Sequence, residues 1–337
     1  MLPSAVLSRF GPALAQLRWE PAPTAGFSGA KIWQGRDPND IAQVALKAYA
    51  PDSISVERLS QIHRWLHAAA SLAFVPKLIL TPEGDSIVLA ENRLWEAYTW
   101  RPGRADFHER PTLPKLEAAC MAIARLHREW QRSPSIEAPI PGIARRLAVV
   151  AESERSRTPL IGVEPTMVKL LLRAREQVRR LRGPAEGALS PWYPRRFRLQ
   201  PCLCDLWHDH VLFNGDAVTG IIDYGAMKVD HASVDLARLL GSLVPGDADA
   251  FTTGLAAYRR EGGLEVPDDL VMLLAETGIL GSVAGWLVRF ATPGYVLPDA
   301  EATRNRLEGL VSHLEKRPSN FPFHGRGVPF PPPTLLQ

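Results

Sequence analysis

Residues 202–225, CLCDLWHDHVLFNGDAVTGIIDYG, constrain the fold of this chain more than any other segment. HVLF predicts a short strand, the Asn-Gly pair predicts a tight turn, and GIIDYG predicts a second strand. Such a hairpin holds Asp205 just before its first strand and Asp223 at the end of its second. Paired carboxylates at one edge of a sheet suit magnesium binding and the positioning of a hydroxyl nucleophile. Spacing alone equally allows both aspartates to cap turns.

The predicted secondary structure changes along the chain, from mainly strands to mainly helices. At 337 residues it exceeds the size at which one hydrophobic core stops growing, so two lobes are expected. The first part predicts short strands and turns around one helix, SVERLSQIHRWLHAAASL, whereas helical spacing dominates after WRPGRAD. The sequence therefore predicts an α+β chain with a small β-rich lobe at 1–97, a larger helical lobe at 98–318 and a proline-rich tail at 319–337.

Composition limits the cellular setting. Three cysteines are too few for a disulfide framework and fit a reducing compartment. The N-terminus lacks the basic start and long apolar centre of a signal peptide, so we expect a cytoplasmic protein. The apolar stretch 270–288 is long enough to cross a bilayer and carries only Glu276 as a charge. Because basic anchors and a second such stretch are lacking, a buried core helix and no membrane partner are expected.

Several segments together resemble one known family. In 203–225 they are Asp-Leu, Val-Leu-Phe, Gly-Asp, Val-Thr-Gly and Ile-Ile-Asp, and VDLARLL follows at 234–240. ARLHREW and RLWEAYTWRPGRAD precede them. This pattern resembles the aminoglycoside phosphotransferase and choline kinase-like family, which shares the bilobal protein-kinase fold. The resemblance covers residues 20–290 and implies a kinase-like arrangement with a cleft between the lobes.

The resemblance implies roles for three charged residues. Asp205 matches the catalytic aspartate that accepts or orients the proton of the substrate hydroxyl. Asp223 matches the aspartate that holds magnesium against the ATP phosphates, and Lys47 matches the strand lysine that contacts the α- and β-phosphates. ATP and Mg²⁺, or Mn²⁺, are therefore the expected cofactors.

Three further residues are expected on the nucleotide side. Glu57 is the candidate for the helix carboxylate that pairs with Lys47. Ser28 and Gly29, in GFSGAK, would form a turn whose backbone N–H groups cover the phosphates. A plain hairpin turn explains GFSGAK equally well.

The same segment departs from the family at two places. Leu203-Cys204 stands where the family has His-Gly, and His210 stands where it has the magnesium-binding Asn. Magnesium binds neutral imidazole poorly. Three outcomes stay open: His210 works with manganese or a single metal ion, Asp209 supplies an oxygen, or the chain is a nucleotide-binding pseudokinase with a regulatory or scaffold role.

Two alternatives concern other chemistry. Cys202, Cys204, His208 and His210 form a C-x-C-x3-H-x-H set of soft ligands, which would suit a zinc-stabilised nucleic-acid-binding protein. The spacing lacks the usual zinc-knuckle pair, and it leaves Asp205 and Asp223 without a role.

The other alternative is an arginine-rich segment at 144–198. It predicts a solvated helix face, and its few aromatic residues argue against a nucleic-acid site. If Arg195, Arg196 or Arg198 lay near the acceptor, they would favour an anionic substrate. The expectation from the sequence is thus a phosphotransferase that moves the γ-phosphoryl group of ATP to a hydroxyl or amine of a small molecule. The acceptor's identity and the oligomeric state are open.

Overall fold

The computed structural model describes residues 3–22, 29–132, 135–156, 164–295, 297 and 299–317. The expected proline-rich tail at 319–337 lies outside the described residues. The helices are α1 Ser4–Arg9, α2 Pro12–Ala15, α3 Val56–Ala68, α4 Leu113–Gln131, α5 Pro141–Arg155, α6 Pro165–Leu189, α7 Ser233–Leu243, α8 Ala248–Arg260, α9 Asp268–Ala291 and α10 Ala300–Glu315. The strands are β1 Arg18–Pro21, β2 Lys31–Arg36, β3 Ala42–Ala48, β4 Leu78–Ile79, β5 Val88–Ala90, β6 Arg93–Thr99, β7 Ile136–Pro139, β8 Arg196–Cys202, β9 Val211–Asn214, β10 Ala217–Ile221 and β11 Lys228–Asp230.

The first part of the chain is an antiparallel sheet with one long helix. Its strand order is β1-β2-β3-β6-β4, and β5 pairs with the other end of β6. In β3, Val44, Leu46 and Ala48 are buried in alternation, so Lys47 lies on the opposite face of the strand. In α3, the side chain of Ser55 caps the first turn by accepting a hydrogen bond from the Arg58 amide.

The rest of the chain is mainly helical, so the α+β arrangement predicted from the sequence is confirmed. The main core joins the buried faces of α3 through α10. Its central helix is α9, which covers the apolar stretch 270–288 and packs against α5, α6, α7 and α10. Among the described residues, α9 alone is long and apolar enough to span a membrane. Its packing against four helices fits the predicted core helix.

The predicted hairpin is present as β9 and β10, although its second strand begins earlier than expected. Asn214 pairs with Ala217, so the turn is short and Gly215 adopts a positive φ of 57°. The connector from the sheet packs onto this hairpin, where the Thr219 hydroxyl donates to the Pro102 carbonyl. Gly103 permits this approach, because a Cβ there would lie 2.7 Å from the Phe213 carbonyl oxygen.

Candidate active site

The hairpin places Asp205 and Asp223 on either side of its two strands. A short 3-10 turn, His208–His210, separates Asp205 from β9, and Asp223 directly follows β10. Asp223 has a left-handed backbone (φ 61°) and its carboxylate accepts from the Gly225 amide, which turns the chain out of the strand. This turn directs the Asp223 side chain towards β3 of the N-terminal sheet.

Lys47 and Asp223 meet across the interface between the sheet and the helical region. The Nζ atom of Lys47 donates to Oδ1 of Asp223 at 3.1 Å, although the residues are 176 positions apart in sequence. Lys47 lowers the pKa of Asp223 to about 2, against the opposing effect of burial. Burial alone would lower the pKa of Lys47, but the charge of Asp223 and of nearby acidic groups raises it overall. The pair is therefore a lysinium–carboxylate contact at neutral pH.

A buried polar network lies behind Lys47. Glu96 faces Lys47 across the β3–β6 pairing and is only 1% exposed. Its carboxylate accepts from the Tyr49 hydroxyl at 2.8 Å and lies 2.7 Å from Nε2 of His63. The other ring nitrogen of His63 lies 2.7 Å from the Ser86 hydroxyl. Both oxygens of Glu96 therefore have partners, and its charge acts on Lys47 by raising the pKa of the lysine.

The expected pairing of Glu57 with Lys47 is wrong in this structure. Glu57 is exposed in the first turn of α3, where its own backbone N–H and the Ser55 side chain lower its pKa. The carboxylates that act on Lys47 are Asp223 and Glu96 instead. A glutamate in the first helical turn is favoured by the N-terminal backbone amides, and this local interaction determines its orientation.

The expected phosphate-covering turn is only partly described. Gly29 lies two residues before β2 and has a positive φ of 70°, a conformation that glycine adopts freely. Ser28 lies outside the described residues. The structure therefore places Gly29 at the entrance to the strand that pairs with β3, and it leaves the role of Ser28 as a prediction.

The Asp205 carboxylate is held by an arginine. Arg238, on α7, donates to Oδ1 of Asp205. The backbone carbonyl of Asp205 accepts a hydrogen bond at 2.8 Å from Nδ1 of His210. Since the Asp205 side chain remains half exposed, an incoming acceptor group can still reach it.

Both ring nitrogens of His210 are engaged within the protein. While Nδ1 donates to the Asp205 carbonyl, Nε2 accepts from the indole N–H of Trp207 at 2.8 Å. Burial lowers the pKa of His210, so the ring is neutral at pH 7. This arrangement leaves no free nitrogen lone pair for a metal ion. His210, expected as a metal ligand, instead braces the loop.

A magnesium ion fits the acidic part of this site. The Oδ2 atom of Asp223 accepts no hydrogen bond from the described residues, and carboxylate oxygen is the ligand magnesium prefers. Magnesium commonly binds one or two carboxylates together with substrate phosphates. Asp223 would thus hold the ion, and the imidazole of His210 would not.

The proposed zinc set is not assembled. Cys202 donates to the Asp230 carbonyl, Cys204 contacts Arg145 and Asp230, and His208 bonds Ser242. In the part of the chain that the structure describes, the one group of three potential ligands that meet is His127, Cys202 and Asp235. The carboxylate and imidazole of that group already hydrogen-bond each other and other protein groups.

Asp235 anchors the loop that carries Asp205. It is fully buried, and its two oxygens accept from the amides of Leu203 and Cys204, each at 2.7 Å. His127 contacts Asp235 at 3.1 Å and the hydroxyl of Tyr258 at 2.9 Å. Cys204 has a positive φ of 63°, a conformation that glycine adopts freely. The anchor therefore compensates for the missing family glycine.

Arginines gather on the open side of Asp205. The guanidinium of Arg306, on α10, stacks 3.6 Å from the ring centroid of Trp207. Burial lowers the pKa of Arg306, Asp205 raises it, and the charges of Arg238 and Arg289 lower it further. Burial and the charge of Arg238 lower the pKa of Arg146 to about 10. Arg238 and Arg306 thus both act on Asp205, while Arg289 and the carboxylate of Asp209 lie near Arg306, and Arg146 lies near Arg238.

The arginines expected near the acceptor lie elsewhere. Arg195 stacks on Trp192, Arg196 donates to the Glu137 carbonyl, and Arg198 donates to the Gln131 carbonyl. These three arginines lie at the N-terminal end of β8, whereas Asp205 follows its C-terminal end. The two cations that act on Asp205, Arg238 and Arg306, come from α7 and α10.

Comparison with known proteins agrees with this geometry. The sequence model of the phosphotransferase enzyme family, APH, matches residues 21–270. The chain belongs to this family. No curated protein sequence matches it significantly.

Solved structures share the fold at low sequence identity. Spectinomycin phosphotransferase APH(9)-Ia, in complex with ADP and spectinomycin, has a TM-score of 0.64 and 12% identity, covering 94% of this chain and 98% of that one. A choline/ethanolamine kinase family protein from Mesorhizobium loti has a TM-score of 0.57 and 17% identity, covering 90% of each chain. A microcompartment-associated aminopropanol kinase has a TM-score of 0.60 and 14% identity, covering 92% of this chain and 93% of that one. These similarities establish a kinase-like fold for this phosphotransferase family member.

Proposed function

We propose that this phosphotransferase moves the γ-phosphoryl group of ATP to a hydroxyl or amine of a small molecule. The contact between Lys47 and Asp223 carries the proposal, because it joins a cation and a carboxylate from the two halves of the cleft. The phosphates of ATP require a cation, and the metal ion bound to them requires a carboxylate, at the same point in the cleft. Family membership supports this assignment, as does the fold shared with a protein solved with bound ADP.

Three residues of this chain have distinct roles in the proposed reaction. Lys47 would leave Asp223 and bind the phosphates of ATP. The carboxylate of Asp223 would then be free to hold a magnesium ion. Asp205 accepts a hydrogen bond from the acceptor hydroxyl and orients it towards the γ-phosphate. When bound, magnesium neutralises part of the phosphate charge. Arg238 keeps Asp205 in place.

We propose an anionic acceptor, such as a hydroxy acid or a phosphorylated alcohol. Arg238 donates to Asp205, and Arg306 interacts with Asp205, Asp209, Arg238 and Arg289, so three cations face two carboxylates on this side of the cleft and its net charge is positive. An acceptor with a carboxylate or phosphate would be attracted to it, and a polycationic acceptor would be repelled.

A nucleotide-binding pseudokinase is the second candidate. It is favoured by one observation, the commitment of both His210 nitrogens to Asp205 and Trp207. With Asp223 as the single protein ligand of the metal ion, phosphoryl transfer would be slow. Turnover that depends on Asp205 separates the two candidates.

The test is γ-phosphate release from ATP by the purified chain, with magnesium or manganese. Asp205→Asn and Asp223→Asn are compared with Asp216→Asn, a control in the turn of the same hairpin that bonds Thr112. Because a positioned general base contributes about 10²–10⁴-fold, we expect Asp205→Asn to lose at least about a hundredfold in rate. Asp223→Asn should also lose most of its rate, because it would remove the carboxylate that holds the metal ion. Asp216→Asn should keep the wild-type rate.

Tight ATP binding without turnover under either metal would favour the pseudokinase. Release that persists in Asp205→Asn would contradict the role of Asp205. The rates with small hydroxy acids and phosphorylated alcohols as acceptors are then compared with the rates with amino alcohols. This comparison tests whether the acceptor is anionic.

A further inference from the structure

A second cleft lies beside the catalytic loop, away from Lys47 and Asp205. It has a volume of about 590 Å³ and opens between α3, β8 and β11. Its lining residues are Arg58, Gln61, Arg64, Trp65, Gln200, Pro201, Lys228 and Val229. The volume suits a small ligand, because such pockets commonly measure about 300–1,000 Å³.

The lining of this cleft is cationic. It contains Arg58, Arg64 and Lys228 and no carboxylate. Across the residues that the structure describes, none of the three cations forms an ion pair with a carboxylate. Arg58 stacks over the ring of Trp65 with its guanidinium 5.6 Å from the ring centroid. Arg64 donates only to the neighbouring Gln61 amide, at 2.5 Å. The three positive charges therefore lack a negative partner.

Gln200 adds a buried donor to the same lining. The side chain is 3% exposed, and its Nε2 atom has no hydrogen-bond partner within the described part of the chain. Buried amide donors in folded proteins are almost always paired. A rotation of the Gln200 side chain would be needed to turn this buried donor towards an acceptor oxygen in the cleft, where the oxygen would also face the three cations.

We propose that this cleft is an anion-binding site, separate from the phosphotransfer site, for a compact ligand with a phosphate or carboxylate group. The guanidinium groups of Arg58 and Arg64 and the ammonium group of Lys228 supply the charge, and Gln200 would add a hydrogen bond once its side chain turns towards the ligand. The proposal does not depend on the reaction proposed above.

The position of the cleft gives such an anion a mechanical consequence. Arg58 and Arg64 belong to α3, whereas Gln200 and Lys228 belong to the strands on either side of the catalytic hairpin. The same helix contacts the turn Tyr224–Ala226, next to Asp223. A bound anion would bridge α3 and the catalytic region, and it would hold the sheet-side helix against them.

Calorimetric titration of the full chain with inorganic phosphate, at constant ionic strength set with chloride, tests the site. We expect saturable binding that weakens about tenfold in Arg58→Gln and in Lys228→Gln, as loss of one charge-assisted hydrogen bond predicts. Gln200→Leu removes the donor without adding charge and should weaken binding as well. Lys169→Gln, on the exposed face of α6, is the matched control and should bind like the wild type.

Lys47→Gln distinguishes this cleft from the proposed nucleotide site. Phosphate binding that survives in Lys47→Gln and weakens in Lys228→Gln supports the proposal. Binding lost in Lys47→Gln and kept in Lys228→Gln overturns it, as does non-saturable binding that is equal in all variants.

Amide hydrogen exchange tests the bridging consequence. Added phosphate should slow exchange in Val56–Ala68 of the wild type but not of Lys228→Gln. Exchange in this helix that is indifferent to phosphate, despite saturable binding, would contradict the bridge.

Discussion

Carboxylates in two different environments lie in or beside the segment from Leu203 to Asp223, which follows β8 and contains the hairpin. On the buried side, Asp235 has no exposed surface, and both of its oxygens accept amide hydrogens from the loop. On the open side, Asp205 and Asp223 are each nearly half exposed, with side-chain exposures of 49% and 46%. Each is held by one cation from a distant element, Arg238 or Lys47.

The difference separates structural from chemical roles. Asp235 has no remaining capacity to bind a ligand, since Leu203, Cys204 and His127 already occupy it. Asp205 and Asp223 can exchange their cation for a substrate or a metal ion, because solvent reaches them. The buried side fixes the backbone that carries Asp205, the residue proposed to orient the acceptor.

Removing the buried anchor should have the largest effect on stability. Asp235→Ala leaves the Leu203 and Cys204 amides and His127 without their partner, which costs about 3–5 kcal/mol of unfolding free energy. Urea denaturation measures this loss. Asp249→Ala, at an exposed position in the first turn of α8, is the control and should stay within about 0.5 kcal/mol of the wild type. Equal midpoints for the two variants would refute the anchoring role.

Glu276 is a third kind of carboxylate, mostly buried but with only a distant cation to balance its charge. It lies on α9 with 14% of its side chain exposed, and its nearest cationic atom, on Arg317, is 3.9 Å away. Burial raises its pKa from 4.5 to about 7, and Arg317 only partly opposes this effect. Between these values the folded state binds more protons than the unfolded state, so stability falls as pH rises from 4.5 to 7.

We expect this group to contribute about 3 kcal/mol to the difference in stability between pH 4 and pH 8. Denaturation curves of the wild type and Glu276→Gln at both pH values isolate the contribution. Glu276→Gln should lose less stability than the wild type on going to pH 8, whereas the exposed Glu301→Gln should follow the wild type. Parallel curves for the wild type and Glu276→Gln would show that Glu276 titrates normally.

His210 hydrogen-bonds the Asp205 backbone and lies near Asp223, so its replacement tests whether the loop or the metal site depends on it. Asn in its place offers magnesium a carbonyl oxygen, while its amide can still donate a hydrogen bond. We expect His210→Asn to lower the magnesium concentration needed for ATP binding about tenfold, which corresponds to about 1.4 kcal/mol. His208→Asn, which alters a neighbouring ring bonded to Ser242, should not have this effect. An unchanged magnesium requirement in His210→Asn would place position 210 away from the metal, and a higher one would show that the imidazole itself supports magnesium binding.

Local patterns in the sequence were sufficient to predict much of the site. The hairpin follows from the Asn-Gly turn and its apolar flanks, and the core helix follows from length and low charge. The family resemblance identified Lys47 as a partner of the phosphate chain, and the structure brings it to Asp223. The hairpin and the core helix could be predicted because they depend on residues that are close in sequence, whereas the phosphate-binding role of Lys47 stays a prediction.

The remainder depends on contacts between distant residues. Glu96 meets His63 and Tyr49 only through the strand pairing of the sheet. A glutamate within the apolar run RLWEAYT was a signal for this network, since buried acids require partners. Arg238 carried a similar signal, as a charge in a helix whose other residues are mostly buried. The pairing of Glu57 failed because local capping outweighed the family pattern.

Equilibrium binding of ATP, with and without magnesium, is the most direct test of the central claim that Lys47 and Asp223 form the phosphate-binding centre. The wild type should bind saturably, and Lys47→Met should weaken binding about 10- to 100-fold, the effect of losing one charged hydrogen bond. Lys169→Met, on an exposed helix face, should not change the affinity. A wild type that fails to bind ATP, or a Lys47→Met variant with unchanged affinity, would contradict the claim.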